Sequence, residues 1–232
     1  MEHLNRRIEA YWDERSAQLS KTRRLELSGV DSDAWEAIFR RNLPVGRLKI
    51  LDVGTGAGFF AAILSKLGHE VVGVDMSSKM LVEAEKNLRK LKLSADFRKM
   101  NAQSLDFADE TFDSVVTRNL TWTLPNVKAA YREWHRVLKI GGVLMNFDSD
   151  YGEKSFSACP RTKISAEMVC ECDLIKDSLT ISSKRRPFWD AGFLEGLNFA
   201  SVTFDEDISA VVQKDSRCNY DSVPLFAICA TK

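Results

Sequence analysis

Between residues 48 and 148, short apolar runs alternate with segments whose apolar positions recur every three or four residues. Runs of the first kind are typical of buried strands, and segments of the second kind are typical of helices that pack one face on a sheet. Strands separated by helices imply a parallel sheet with helices on both faces. The pattern predicts strands at 48–53, 70–75, 95–100, 112–117 and 143–147, and helices at 57–67, 77–92 and 125–138.

The two ends of the chain follow other patterns. Helices predicted at 5–20 and 31–42 precede the first strand. Residues 199–204 and 225–230 have the composition of strands, and no helical pattern separates them, which predicts a terminal antiparallel hairpin with a long loop. Residues 151–190 are polar and lack a strong period, so we interpret them as an insertion, or lid, over the edge of the sheet.

Charge and hydropathy exclude several classes of partner. The 232 residues contain 33 Lys and Arg and 33 Asp and Glu, whereas proteins that bind duplexes usually carry a basic excess. We therefore expect no nucleic-acid partner. No apolar run approaches the ~20 residues of a membrane helix, and the first residues lack the apolar core of a signal peptide. These patterns predict a cytoplasmic protein without a membrane partner.

The five cysteines give no framework for disulfides or metal. They are odd in number and all lie in the last third of the chain, which agrees with a cytoplasmic location. Cys170 and Cys172, with Cys159 upstream, are candidates for part of a metal site. The spacing is not Cys-x-x-Cys, and no histidine lies nearby in the sequence to complete a zinc shell. We predict no metal site.

A glycine-rich turn joins the first strand to the helix that follows it. The stretch L-D-V-G-T-G-A-G-F-F places Gly54, Gly56 and Gly58 at alternate positions. Glycine lets a ligand approach the main chain closely, and ligands of open parallel sheets bind beyond the carboxyl ends of the strands. A dinucleotide fingerprint would need its third glycine where this chain has Phe59, and a P-loop would need a Lys followed by Ser or Thr. Counted from Asp52, the motif is instead D-x-G-x-G-x-G.

This motif resembles the first motif of the class I S-adenosylmethionine-dependent methyltransferases, and the resemblance extends over roughly residues 45–150. It implies that Asp75, at the end of the second strand, binds the ribose hydroxyls of S-adenosylmethionine. Asn101 stands where the family usually has an Asp near the adenine, and Ile140 replaces a proline before Gly141 and Gly142. The implied cofactor residues are Tyr11, Asp52, Gly54, Thr55, Gly56, Gly58, Asp75, Met76, Asn101, Ala102, Gln103 and Asn119.

The resemblance also implies a fold and a division of the chain. The fold is a Rossmann-like, mostly parallel seven-stranded sheet with a terminal antiparallel hairpin. We expect one methyltransferase domain over residues 1–232. Its parts are a helical cap at 1–44, a cofactor-binding core at 45–150, an inserted lid at 151–190, and a terminal helix and hairpin at 191–232.

Methyl transfer is a displacement in which the protein aligns and desolvates the reactants, and a base is needed only where the acceptor must lose a proton. Asn119, as a polar positioner, and Asp148, as a base, are the catalytic candidates. The alternative to a functional role for Asp148 and Asp150 is that they are solvated loop residues. For Trp122, and for the pair Tyr11 and Arg15, the alternative is a role in packing only. The substrate-binding candidates are Arg15, Arg118, Trp122, Asp150 and Tyr151.

The leading hypothesis is therefore methyl transfer from S-adenosylmethionine to a small molecule, with S-adenosylhomocysteine as the product. The alternatives are a methyltransferase acting on RNA or protein, and a protein that binds the cofactor without turnover. A nicotinamide-dependent oxidoreductase is disfavoured by the position of Gly58. The acceptor, the methylated atom and the oligomeric state are left open by the sequence.

Overall fold

The computed structural model describes residues 2–157, 165–218, 220 and 222–232. Its strands form one sheet in the order β3-β2-β1-β4-β5-β7-β6. The first five strands are parallel, and β7 runs antiparallel to both β5 and β6. The predicted seven-stranded fold with its terminal hairpin is thus confirmed. The strands are β1 Lys49–Val53, β2 Glu70–Asp75, β3 Asp96–Lys99, β4 Phe112–Arg118, β5 Leu138–Ser149, β6 Ser201–Asp205 and β7 Leu225–Thr231.

Helices cover both faces of this sheet. Ser77 caps the N-terminus of the fourth helix by accepting a hydrogen bond from the Met80 N–H. The fifth helix begins later than predicted, because Asn126 rather than Pro125 precedes its first turn and accepts a bond from the Ala129 N–H. The helices are α1 Glu2–Leu27, α2 Val30–Asn42, α3 Phe59–Lys66, α4 Ser78–Lys90, α5 Val127–Val137, α6 Ala166–Asp177, α7 Phe188–Glu195 and α8 Ser209–Val212.

Apolar side chains fill the space on each side of the sheet. On one face, the Trp35 ring of α2 packs 4.9 Å from the Phe60 ring of α3 and 4.8 Å from the Phe147 ring of β5. On the other face, Tyr131 and Trp134 of α5 are fully buried. Burial of the central strands on both faces explains why their sequences are nearly continuous apolar runs.

Strand order reverses between β1 and β4. The chain passes from β1 to β2 and β3 on one side, and then crosses to β4 on the other side. Loops at the carboxyl ends of β1 and β4 therefore diverge and leave a crevice between them, which is where ligands bind in folds of this kind. The long helix α1 contacts α4, α6 and α3, so it lies across this crevice.

Three segments differ from the sequence-based predictions. Helix α1 extends to Leu27, well beyond residue 20. The glycines at 141 and 142 lie inside β5 rather than in a turn before it, because the register between β4 and β5 shifts near Asp113. A Cβ at Gly142 would lie 2.8 Å from the Asp113 carbonyl oxygen, so this bulge requires glycine. The short helix α8 stands between β6 and β7, where we predict only a loop.

The described residues contain no helix that is both long and apolar enough to cross a membrane. Within the same residues, no three His, Cys, Asp or Glu side chains are grouped so that they could hold a metal ion. Cys170 is exposed and Cys172 is buried, whereas Cys159 lies outside the described residues.

Candidate functional site

A cavity of about 450 Å³ lies at the carboxyl ends of β1, β2 and β4. The glycine turn after β1 forms part of its lining, and α1 covers it. The inserted region contributes side chains from residues 151–156 and from α6. Residues between α8 and β7 contribute a further side, through Gln213, Arg217, Cys218, Tyr220 and Ser222. Segments that are distant in sequence therefore enclose the crevice.

The three glycines of the turn have different surroundings. All of them adopt positive φ angles, of 68° at Gly54, 52° at Gly56 and 81° at Gly58. A Cβ at Gly54 would lie 2.8 Å from the Leu120 side chain, and one at Gly58 would lie 2.9 Å from Leu88. The nearest atoms to a Cβ at Gly56 are 3.9 Å away. Gly56 thus leaves open space at the cavity, whereas Gly58 lies outside the cavity lining and lets α3 approach α4.

Asp52 holds the turn in place. Its Oδ2 accepts hydrogen bonds from the Thr55 hydroxyl at 2.6 Å and from the Ala61 N–H at 3.1 Å. The carboxyl is almost fully buried, and this burial raises its pKa to about 7. Asp52 and Thr55 line the cavity, but the bonds of the Asp52 carboxyl run to the protein itself.

Asp75 links the glycine turn to the end of β2. Its Oδ2 accepts a bond from the Gly56 N–H at 2.9 Å, and its Oδ1 accepts one from the Ser77 N–H at 2.8 Å. Burial raises the pKa of Asp75 to about 6, and the nearby Asp13 carboxylate adds to this rise. Each carboxylate oxygen has a second lone pair, so the ionised group can accept two more hydrogen bonds. This geometry suits a vicinal diol.

The side chains after β2 and β3 form the next part of the lining, which includes Met76, Met100, Asn101 and Ala102. Asn101 Oδ1 accepts bonds from the N–H and the side-chain amide of Gln103, both at 3.0 Å. The Gln103 Oε1 in turn accepts a bond from the main chain before α5. Gln103 is outside the cavity lining, and its contacts hold Asn101 in place.

Four rings form a cluster at the other end of the cavity. We call Trp12, Trp122, Tyr151 and Phe156 the aromatic cluster, and all four line the cavity. The Trp122 ring lies 6.2 Å from the Trp12 ring, 5.0 Å from the Tyr151 ring and 5.7 Å from the Phe156 ring. The Trp122 ring, in the loop after β4, therefore contacts two other segments: α1 and the inserted region.

Asn119 lies beside this cluster, directly after β4. Its main chain has a φ of 53°, and its carbonyl oxygen accepts a bond from the Trp122 indole N–H at 3.1 Å. The Asn119 Oδ1 is buried and has no hydrogen-bond partner among the described residues. A buried acceptor without a partner is unfavourable, so this atom is suited to receive a donor from a ligand.

Helix α1 brings Tyr11 and Arg15 to the cavity together. The Arg15 guanidinium donates to the Tyr11 hydroxyl at 2.8 Å and to Gln18 Oε1 at 2.9 Å. Both side chains line the cavity, as a spacing of four residues on one helix face predicts. Tyr11 is buried beside Cys172, and burial raises the pKa of the Tyr11 hydroxyl, which therefore stays neutral.

Arg118 lines the cavity, but its charge is already paired. Its guanidinium donates to Glu26 of α1 at 2.9 Å, and it lies over the Trp35 and Phe59 rings. Arg23 also donates to Glu26, at 2.8 Å. Because its charge is paired with Glu26, we do not propose Arg118 as a substrate-binding residue. Its observed contact fixes α1 over the end of β4.

The structure places Asp148 and Asp150 outside the cavity lining. The Asp148 carboxylate is fully buried and accepts bonds from the Trp122 N–H at 3.0 Å and from the Ser149 N–H at 2.8 Å. The Asp150 carboxylate accepts a bond from the Arg186 N–H at 3.0 Å. Both carboxylates are directed into the protein, so we propose neither as a base nor as a ligand of the acceptor.

Several residues of the lining carry no motif in the sequence. Glu26 lies where no helix is predicted, and the others lie in segments without a strong period, so local pattern gives no signal for them. Cys172 drew attention only as a metal ligand. The lining residues that the sequence does not identify include Glu26, Lys154, Phe156, Cys172, Arg217, Cys218 and Tyr220.

Comparison with known proteins places residues 51–146 in a family model described as a methyltransferase domain. A ubiquinone biosynthesis O-methyltransferase from Dinoroseobacter shibae is 32% identical over 114 residues, which are 49% of this chain and 46% of that protein. A phosphatidylethanolamine N-methyltransferase from Cereibacter sphaeroides is 34% identical over 111 residues, which are 45% of this chain and 53% of that protein. The chain spans about half the length of these curated relatives.

Solved structures share the fold at low sequence identity. A SAM-dependent methyltransferase from Aquifex aeolicus superposes with a TM-score of 0.62 at 20% identity, covering 94% of this chain and 97% of that one. Phosphoethanolamine N-methyltransferase 2 from Haemonchus contortus, in complex with S-adenosyl-L-methionine, superposes with a TM-score of 0.61 at 18% identity. That match covers 84% of this chain and 51% of the other.

Proposed function

Because the chain belongs to the class I S-adenosylmethionine-dependent methyltransferases, we propose that it transfers a methyl group from S-adenosylmethionine to a small-molecule acceptor. The observation that carries the proposal is the pair formed by Gly56 and Asp75. The Gly56 main chain faces open space at the cavity, and its N–H donates to the Asp75 carboxylate at 2.9 Å. A main-chain turn without a side chain leaves room for a nucleoside, and the neighbouring carboxylate can accept hydrogen bonds from its hydroxyls.

The residues present fit this cofactor. We propose that Asp75 accepts the ribose hydroxyls, because both of its oxygens keep acceptor capacity beyond their two main-chain bonds. Met76, Met100 and Ala102 provide apolar surface for the adenine, with Asn101 at its edge. Gly54 and Asn119 lie towards the methionine end, where the unpartnered Asn119 Oδ1 accepts an N–H donor.

When bound, the cofactor supplies an activated methyl group that is attacked in line by a nucleophilic acceptor. The protein contributes position and exclusion of water. Helix α1 covers the cavity, and Glu26 holds it to Arg118 at the end of β4. Asn119 orients donors near the reacting atoms, and the aromatic cluster gives the acceptor an apolar surface to pack against.

Two observations support a small molecule as the acceptor. The cavity is covered by α1, by the inserted region and by the residues before β7, so a folded macromolecule would have to displace them. Lys and Arg balance Asp and Glu, which gives no electrostatic preference for a nucleic acid. The printed names of the two curated relatives also denote methylation of small molecules or lipids.

A transfer assay with cofactor labelled in the methyl group tests the proposal. The protein is incubated with separate pools of metabolites, RNA and protein, and the label in each pool is counted. We expect label in the small-molecule pool, and an Asp75→Asn variant should lose most of it. Label in RNA or protein would support the alternative acceptors. Binding without transfer to any pool would support a non-catalytic role.

A further inference from the structure

A group of buried polar side chains lies next to Trp122, outside the cavity lining. We call Thr121, Asp148, Arg186 and Asp190 the Arg186 cluster, and all four side chains are buried. Arg186 donates to both oxygens of Asp190, at 2.7 and 2.8 Å, and to the Thr121 hydroxyl at 2.5 Å. None of the four is among the described residues that line the cavity.

Thr121 connects the arginine to the loop after β4. Its hydroxyl accepts the bond from Arg186 and donates to the Asp148 Oδ2. The same Asp148 oxygen accepts the Trp122 N–H at 3.0 Å. The carboxylate near the end of β5 thus holds the main chain of Trp122, and Thr121 ties that carboxylate to Arg186 in the inserted region.

Neighbouring elements fix the cluster in turn. The Tyr131 hydroxyl of α5 donates to Asp190 at 2.7 Å and accepts a bond from the Asn146 side chain of β5 at 2.8 Å. The Arg186 main chain donates to Asp150. Asp148 near the end of β5 and Asp150 just after it therefore both contact the same arginine residue, Asp150 at its main chain and Asp148 near its guanidinium. Buried charges paired in this way resist rearrangement, because separating them leaves a charge without a partner.

We propose that the Arg186 cluster positions the Trp122 ring and so sets the shape of the aromatic cluster. The assignment of the aromatic cluster to the acceptor end of the cavity rests on the function proposed above. Asp148 then acts as a positioning residue rather than as a base. The cluster lies away from Gly56 and Asp75, so it should affect the acceptor end of the cavity without altering the nucleoside end.

The test uses Thr121→Val, which keeps the shape of the side chain and removes the hydroxyl's bonds to Arg186, Asp148 and Asn146. Thr121→Ser is the rescue variant, because it restores the hydroxyl. Thr117→Val is the matched control, since Thr117 is also buried and its hydroxyl has no hydrogen-bond partner among the described residues. Each protein is labelled with 5-fluorotryptophan at its five tryptophans, and the fluorine resonances are assigned by Trp→Phe substitutions.

We expect Thr121→Val to shift and broaden the Trp122 resonance, with a smaller change at Trp12, which contacts it. The Trp35 resonance, from the core on the other face of the sheet, should stay in place. Thr121→Ser should return the Trp122 signal to its original position, and Thr117→Val should leave it unchanged. The affinity for S-adenosylhomocysteine should change by less than about twofold in Thr121→Ser and Thr117→Val, because neither substitution displaces Trp122.

The proposal is overturned if the Trp122 resonance does not respond to Thr121→Val, or if all five resonances change together, which would indicate a general loosening. Failure of Thr121→Val to fold while Thr121→Ser behaves as the wild type would also contradict a specific positioning role. If the wild-type protein does not bind S-adenosylhomocysteine, the proposed function fails. The fluorine spectra still decide whether the cluster positions Trp122.

Discussion

Two carboxylates, the buried Asp52 and the partly buried Asp75, bond to the glycine turn and have different roles. Asp52 bonds to Thr55 and Ala61 and so shapes the turn. Asp75 bonds to the turn through Gly56 and keeps acceptor capacity at the cavity. Burial raises the pKa of both groups, to about 7 and about 6, so ionising either one in the folded protein is costly.

Asp52→Asn should stabilise the protein at pH 8. The folded pKa of Asp52 is raised from 3.8 to about 7, so stability from this group is present below pH 4 and is lost as pH rises towards 7. The amide oxygen of Asn can still accept the bonds from Thr55 and Ala61. Urea unfolding should show a gain on the order of 2–4 kcal/mol at pH 8 that shrinks at pH 5.

The control for this variant is Asp106→Asn, at an exposed position, which should change stability little at either pH. An equal effect of Asp52→Asn at both pH values would show that ionisation of the buried carboxyl is not what the substitution removes.

Individual residues differ in how far the sequence could identify their roles. The roles of Gly56 and Asp75 can be predicted locally, because a glycine-rich turn and the end of a strand are each recognised from a few consecutive residues. Asp148 is also at a strand end, but its partners Thr121 and Arg186 lie 27 and 38 positions away in sequence. The burial that excludes Asp148 from the cavity depends on those distant partners, which no local pattern contains.

Among the elements, α1 is unusual because polar contacts attach much of its length to the rest of the protein. Its Ser20 bonds to Asn87 of α4 at 3.1 Å, and its Asp13 accepts a bond from Ser77 at 2.5 Å. Glu26 pairs with Arg118, and Ile8 and Tyr11 are its fully buried apolar side chains. This explains why the sequence predicts α1 only to residue 20: its last turns pack through charged and polar groups, which lack an apolar period.

Glu26→Gln should destabilise this attachment. Burial would raise the pKa of Glu26, but the Arg118 and Arg23 guanidiniums outweigh it and hold the pKa below its usual range. The substitution leaves the buried Arg118 without a charged partner, which should lower the free energy of unfolding by about 2–4 kcal/mol in urea titrations.

Glu2→Gln on the same helix is the matched control. Glu2 pairs with Arg6, but their side chains are 81% and 72% exposed, so its loss should cost less than about 0.5 kcal/mol. Similar small effects of the two substitutions would refute the view that the contact between Glu26 and Arg118 holds α1 in place.

At the scale of the whole molecule, the elements of the core can be predicted from the sequence, whereas most residues of the segments that cover the cavity cannot. Core strands and helices were identified because burial imposes periods of two and 3.6 residues on the sequence. The segments that enclose the cavity come from α1, from the inserted region and from the residues after α8. Beyond the helix predicted at 5–20, these segments carry no such period. Apart from Tyr11, Arg15 and Tyr151, the residues that they bring to the cavity therefore emerge only from the fold.

At the scale of the whole molecule, we propose that the enclosed crevice binds an adenosyl nucleoside through Gly56 and Asp75. Calorimetric titration with S-adenosylhomocysteine tests this directly in the wild type and in Asp75→Asn, at pH 8 and pH 5. Hydroxyl donors bind the ionised carboxylate best, and the pKa of Asp75 is about 6, so protonation at pH 5 should weaken binding.

We predict one site per chain in the wild type, with an affinity that falls by roughly tenfold from pH 8 to pH 5. Asp75→Asn should bind at least about tenfold more weakly at pH 8 and lose most of the pH dependence. Absence of binding heat in the wild type at both pH values, or an Asp75→Asn variant that binds as tightly as the wild type, would contradict the account.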